Sequence, residues 1–122
     1  MIRLAAVLLA LLALPVAAQE APAGLADAPG AVLRGLDKVA GAASDIELLS
    51  GQTVPYGQLE ITLRECRYPP ADPSSNAYAF VTIKDTSAEA QVFSGWLIAD
   101  SPALSALDHQ RYDVWAIRCK IE

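Results

Sequence analysis

His109 is the single histidine in the chain, and imidazole is the side chain best suited to acid–base work near neutral pH. Asp108 and Asp113 flank it, and Ser94, Ser101 and Ser105 lie a short way upstream. A serine nucleophile, an imidazole base and an orienting carboxylate can be assembled from this set. The sequence lacks the G-x-S-x-G turn that presents a nucleophilic serine in α/β hydrolases, so a small hydrolase working through His109 is a remote reading. The competing one is structural, with His109 closing a short helix whose dipole favours an imidazolium.

Other chemistries fare no better. Glu60, Glu65, Asp100, Asp108 and Asp113 could supply paired carboxylates, but glycoside hydrolysis needs two of them facing across a cleft. A domain this small has little room for such a cleft beside its core. One histidine and two cysteines do not make a closed zinc site. No D-x-[DN]-x-[DN]-G calcium loop is present. No catalytic residue, cofactor or metal is therefore assigned.

Cys66 and Cys119 are the two cysteines. They are far apart rather than in the C-x-x-C spacing of redox pairs, and each ends an expected strand. A structural disulfide between them follows if the chain is exported. The N-terminus predicts export. Arg3 precedes an apolar run from Leu4 to Leu14, then Pro15 and the small residues Val16, Ala17 and Ala18, the order of a cleavable signal peptide. The run is shorter than the roughly 20 apolar residues of a spanning helix. Cleavage is expected after residue 18, giving a periplasmic chain with no membrane span in its mature part. The net charge of −5 becomes more negative by one once Arg3 is lost. An acidic chain without a basic stripe is not expected to bind nucleic acid.

Residues 19–30 are rich in Ala, Pro and Gly and lack periodicity, which predicts a flexible linker; residues 31–122 form the single domain. Its pattern is β. Ala31–Val39 is expected to pair with Ser44–Leu49 across Gly41. Thr53–Tyr56 reads as a short strand that Pro55 confines to an edge. Leu59, Ile61 and Leu63 alternate with polar residues, and Ala79, Val81 and Ile83 alternate with Tyr78, Phe80 and Thr82. Gln91–Ala99 is apolar on both faces, which predicts a central or covered strand. Ser101-Pro102 carries helix-start chemistry, with Leu104 and Leu107 on one face of a short helix near residues 102–108. Tyr112–Cys119 is the last strand. The fold class is all-β, a small antiparallel β-sandwich or open barrel of about six strands with that one short helix.

Trp96 and Trp115 lie in apolar strands and are expected in the core. Tyr56, Tyr68, Pro69, Pro70 and Tyr78 form the candidate partner or ligand surface, because exposed aromatics anchor proteins or stack on sugars.

Several segments together resemble one family. They are Leu33–Lys38, Tyr56–Thr62 through Cys66, Phe93-Ser94-Gly95-Trp96, Ser101–Leu107 with Asp108-His109, and Tyr112-Asp113-Val114-Trp115 with Cys119. On these residues, about 33–119, the chain is similar to the domain of unknown function 2155 family of exported alphaproteobacterial proteins. Leu97 and Gln110 stand where methionine and proline are frequent in that pattern. The resemblance implies an exported protein with the same cysteine pair; it brings no catalytic residues, although some members carry a cellulase-like label. The leading expectation is a non-catalytic periplasmic accessory or adaptor domain that binds another cell-envelope protein, such as an inner-membrane complex. A glycan or peptidoglycan binding module using exposed aromatics is the alternative.

Overall fold

The computed structural model describes residues 21–104, 107 and 109–121. The expected signal peptide at residues 1–18 lies outside them, as do Ser105, Ala106 and Asp108. Eight strands follow one another: β1 (Ala26–Ala28), β2 (Gly30–Asp37), β3 (Ala42–Leu49), β4 (Thr53–Tyr56), β5 (Leu59–Tyr68), β6 (Tyr78–Asp85), β7 (Ala90–Ile98) and β8 (Tyr112–Lys120). They form two antiparallel sheets. The first has the order β1-β5-β6-β7, with β4 also paired to β5, and the second has the order β3-β2-β8. Both sheets are open, so the sandwich form of the expected all-β fold is the one adopted.

Period-two alternation puts one residue set of each strand into the core. Leu59, Ile61 and Leu63 of β5 and Ala79, Val81 and Ile83 of β6 are each fully buried. Leu33 of β2, Ile46 and Leu48 of β3, and Val114 and Ala116 of β8 meet them from the second sheet. The interior is largely aliphatic and shared by both sheets.

The chain changes sheets at Pro29. Ala28 pairs with Cys66 in the first sheet, and Ala31 pairs with Cys119 in the second. Gly30 makes the corner possible, because a Cβ there would run into the main-chain carbonyl of Leu48. The two cysteines are thus carried on the two sheets beside the corner, with Cα atoms 5.7 Å apart and their sulfurs bonded.

Several expectations need correction. Among the described residues the strands number eight rather than about six, partly because Ala26–Ala28, expected as linker, pairs with β5 and buries Ala28. The short helix expected near residues 102–108 is not found among the described residues of that range. Pro102–Leu104 is a turn closed by Leu104 N–H donating to Ser101 O at 3.1 Å, since so short a run cannot repay helix nucleation. Leu104 is exposed while Leu107 is buried, so they share no buried face. Strand β7 ends its sheet rather than lying centrally, although Trp96 and Leu97 are buried on its two faces, the covered form of that expectation. Neither tryptophan joins the inter-sheet core. Trp96 is buried on the outer side, edge-on to Phe80 at 5.2 Å and with the Arg67 guanidinium 5.8 Å from its ring centre. Trp115 is half-buried and sits opposite Arg34. Packing on a covered outer face satisfied the apolar signal that pointed inward.

Replacing both cysteines by alanine is expected to destabilise the domain by about 4 kcal/mol, because the bridge closes a loop of 53 residues in the unfolded chain. Urea unfolding of the oxidised protein and the double variant measures this difference, and a change below about 1 kcal/mol would remove the bridge from the stability argument.

Candidate functional site

The end of the sandwich away from the disulfide gathers the polar chemistry. Here β2 ends at Asp37, β4 at Tyr56 and β6 at Asp85, and β8 begins at Tyr112. Tyr112 is almost completely buried. Its ring meets Tyr56 edge-on at 5.4 Å, His109 at 5.2 Å and the Arg111 guanidinium at 5.3 Å. Its hydroxyl accepts the Gln58 main-chain N–H at 3.2 Å. Two glycines leave the space: a Cβ on Gly35 would enter the Tyr56 ring, and one on Gly57 would collide with the Tyr112 hydroxyl. Burial pushes the Tyr56 phenol above its ordinary range.

His109 is wired on both sides. Its Nδ1 accepts the main-chain N–H groups of Arg111 at 3.0 Å and Tyr112 at 3.3 Å. The ring proton therefore belongs on Nε2, which donates to Asp85 Oδ2 at 2.8 Å. Asp85 in turn accepts the Ser87 hydroxyl at 2.7 Å and the Ser87 N–H at 2.9 Å on its other oxygen. The Ser87 hydroxyl, then His109, hold this carboxyl down at about 2, below its ordinary 3.8. Asp37 is clamped by Arg111 Nε and Nη2 at 3.2 and 3.0 Å and accepts Val39 and Ala40 N–H groups. Arg111 first, then the Ala40 amide, lower its carboxyl as well. Lys38 Nζ donates to the His109 carbonyl at 2.7 Å and lies 3.5 Å from Asp113.

This arrangement does not resemble a hydrolase triad. A catalytic imidazole passes its proton between a carboxylate and a nucleophile, whereas both nitrogens of His109 are engaged by the fold. Its carboxylate is Asp85, not Asp113, and among the described residues there is no helix for it to close. Ser94 lies exposed opposite Thr82, and Ser101 belongs to the turn before Leu104. Among the described residues no group of three or more His, Cys, Asp or Glu side chains is placed to hold a metal. Of the possible glycosidase carboxylates, Glu60 stands opposite Lys84, and Glu65 meets Arg67 at 3.2 Å.

The sequence-predicted aromatic surface divides. Tyr56 belongs to the cluster just described. Tyr68 is half-buried against the core at the other end of β5, roughly 30 Å along the strand. Pro69 is half-buried and Pro70 exposed beside it. Tyr78 is half-buried opposite Arg67, its hydroxyl accepting from Asn76 at 3.1 Å. Sequence reasoning missed a cavity of about 310 Å³ lined by Pro102, Ala103, Leu107, Asp113, Val114 and Trp115. It also missed the pairing of Asp85 with His109, whose signal was limited to an acid at a turn and a histidine before a strand.

The family described as "Uncharacterized protein conserved in bacteria (DUF2155)" matches residues 31–119. The chain belongs to this family. The DUF2155 match runs from β2 to β8, so it includes both the disulfide and the Tyr112 cluster and leaves β1 outside. An uncharacterized protein of Rickettsia prowazekii (strain Madrid E) is 27% identical over 88 residues, covering 69% of this chain and 56% of that protein. The chain thus spans little more than half the length of the curated relative it matches. No solved structure matches it.

Two outcomes test the cluster. Gly57 has φ +56° and no room for a methyl group, whereas Gly41 has φ +67° and open space. Gly41→Ala is expected to cost about 1 kcal/mol of backbone strain, and Gly57→Ala about 2 kcal/mol more because Tyr112 must shift; urea unfolding compares them. For pH, the depressed Asp85 carboxyl contributes stability that is complete above its ordinary value of 3.8 and lost as pH falls toward about 2. Urea midpoints recorded from pH 6 down to pH 2 should therefore hold and then drop in the native chain. Asp85→Asn should start lower and drop less, keeping the share due to Asp37; equal slopes would disprove the assignment.

Proposed function

We propose that this protein is a non-catalytic accessory or adaptor domain of the cell envelope. Residues 1–18 act as its cleavable export signal, and its role is to bind another envelope protein, such as the periplasmic face of an inner-membrane complex. The observation that carries the reading is the engagement of His109. The chain's one imidazole spends both nitrogens on Asp85 and on the main chain at the start of β8, which favours a scaffold over a proton-transfer centre. The Cys66–Cys119 bridge favours an oxidising compartment. Among the described residues no helix is long and apolar enough to cross a membrane.

A glycan-binding role draws less support. Such a site presents a flat row of exposed rings, whereas Tyr56 and Tyr68 pack against the core at opposite ends of β5. In-cell cross-linking of a C-terminally tagged chain, followed by mass spectrometry, tests the adaptor reading. One envelope assembly recovered in fixed proportion is the expected result. Recovery of the tagged protein alone would reject it.

A further inference from the structure

We infer that the free edge of β3 is a docking site for an extended segment of a partner protein, one whose outward-facing residues are Lys or Arg. The inference rests on the adaptor reading and names the surface that reading requires. Among the described residues β3 pairs with β2 alone. Its other edge therefore presents unpaired main-chain N–H and C=O groups along residues 42–48, while Gln52 occupies both the N–H and the C=O of Leu49.

Long open edges are usually shortened, bulged, interrupted by proline or covered, and the other edges of this fold show those devices, with β7 at the end of the first sheet bulged where Val92 has no partner on β6. Strand β1 has three residues. Strand β4 has four, and Pro55 among them has no N–H to offer. The segment joining β7 to β8 sends Leu107 into the core and lines β8 with Pro102 and Ala103. Strand β3 has no proline and pairs with β2 without a register shift. Large apolar side chains stand exposed at both of its ends, Val39 in the preceding turn at 76% and Leu49 at 54%.

The outward face of β3 specifies the partner's charge. Asp45 and Glu47 point outward while Ile46 and Leu48 point into the core. On the β2 side each acid already meets a base: Asp45 contacts Arg34 at 2.8 Å, and Glu47 contacts Lys120 at 3.2 Å. A strand added on the free side with Lys or Arg opposite these acids continues that alternation, and its inward residues extend the apolar layer of Ile46 and Leu48. A second copy of this chain fits poorly. Antiparallel self-pairing keeps outward residues opposite one another, and the longest such registers set Asp45 against Asp45 or Glu47, like charges directly opposed.

The test uses two labelled nine-residue peptides, one alternating Val with Lys and one alternating Val with Glu, added to the oxidised protein. Fluorescence anisotropy should show about a tenfold preference for the Lys peptide, with hydrogen-exchange protection confined to β3. The double variant Asp45→Asn/Glu47→Gln changes exposed side chains, and its thermal melt checks that the fold persists. It should cut the preference to less than about threefold. Equal binding of the two peptides, protection at β4 or β8 instead, or a dimer by ultracentrifugation that shields β3 would each overturn the proposal. If the peptides fail while cross-linking in cells still recovers an envelope protein, this edge is discarded and the adaptor reading stands; failure of both discards both.

Discussion

Tyr112 is the side chain on which the polar end of the sandwich depends. It leads into β8, an edge strand of the smaller sheet, yet its hydroxyl is bound by the Gln58 amide beside β4 in the larger one. Tyr56, Gly57 and Gly35 are shaped around it. His109, Arg111, Asp85 and Asp37 hold the chain leading into it at a fixed height. A domain of this size buries a modest share of its surface, so an aliphatic core leaves a narrow margin over conformational entropy. Closing the ends of the sandwich limits how water reaches that core. The disulfide does this at one end with a covalent bond, and the Tyr112 cluster does it at the other with sterics and hydrogen bonds.

The contrast explains what the sequence made legible. Leu59, Ile61, Leu63, Ala79, Val81 and Ile83 announce their strands and inward faces because period-two alternation is a local property. The hairpin of β2 and β3 across Gly41 and the edge position of β4 at Pro55 are local in the same sense. The two cysteines were readable as a pair because they had no other partners. Asp85 and His109, or Asp37 and Arg111, carry no such mark. Their pairing depends on which strand ends the topology brings together, and a glycine such as Gly35 reveals its purpose only when the ring filling its space is known. Trp96 misled for a related reason: an apolar residue in a strand asks for cover, and an outer face shielded by Phe80 and Arg67 supplies it as well as a core does.

Histidine use follows the same logic. An imidazole accepts on one nitrogen and donates on the other in its neutral form, so it can join main-chain amides to a carboxylate across a short gap. Here it joins the start of β8 to the turn after β6. The Asp85 carboxylate it donates to is further anchored by Ser87, so the bond reaches a rigid acceptor. Using the chain's one histidine this way fixes His109 to Tyr112, the residues that lead into β8, against the turn after β6.

The two fastenings respond to different variables. The Cys66–Cys119 bridge is indifferent to moderate acid and sensitive to reduction, whereas the carboxylates of the Tyr112 cluster are indifferent to thiols and sensitive to acid. Reduction would release the corner at Pro29 and Gly30, where β1 and β2 part company, and would leave the far end fastened. Acid would do the reverse. Each stress therefore removes one fastening from a fold of narrow margin, and the two together remove both.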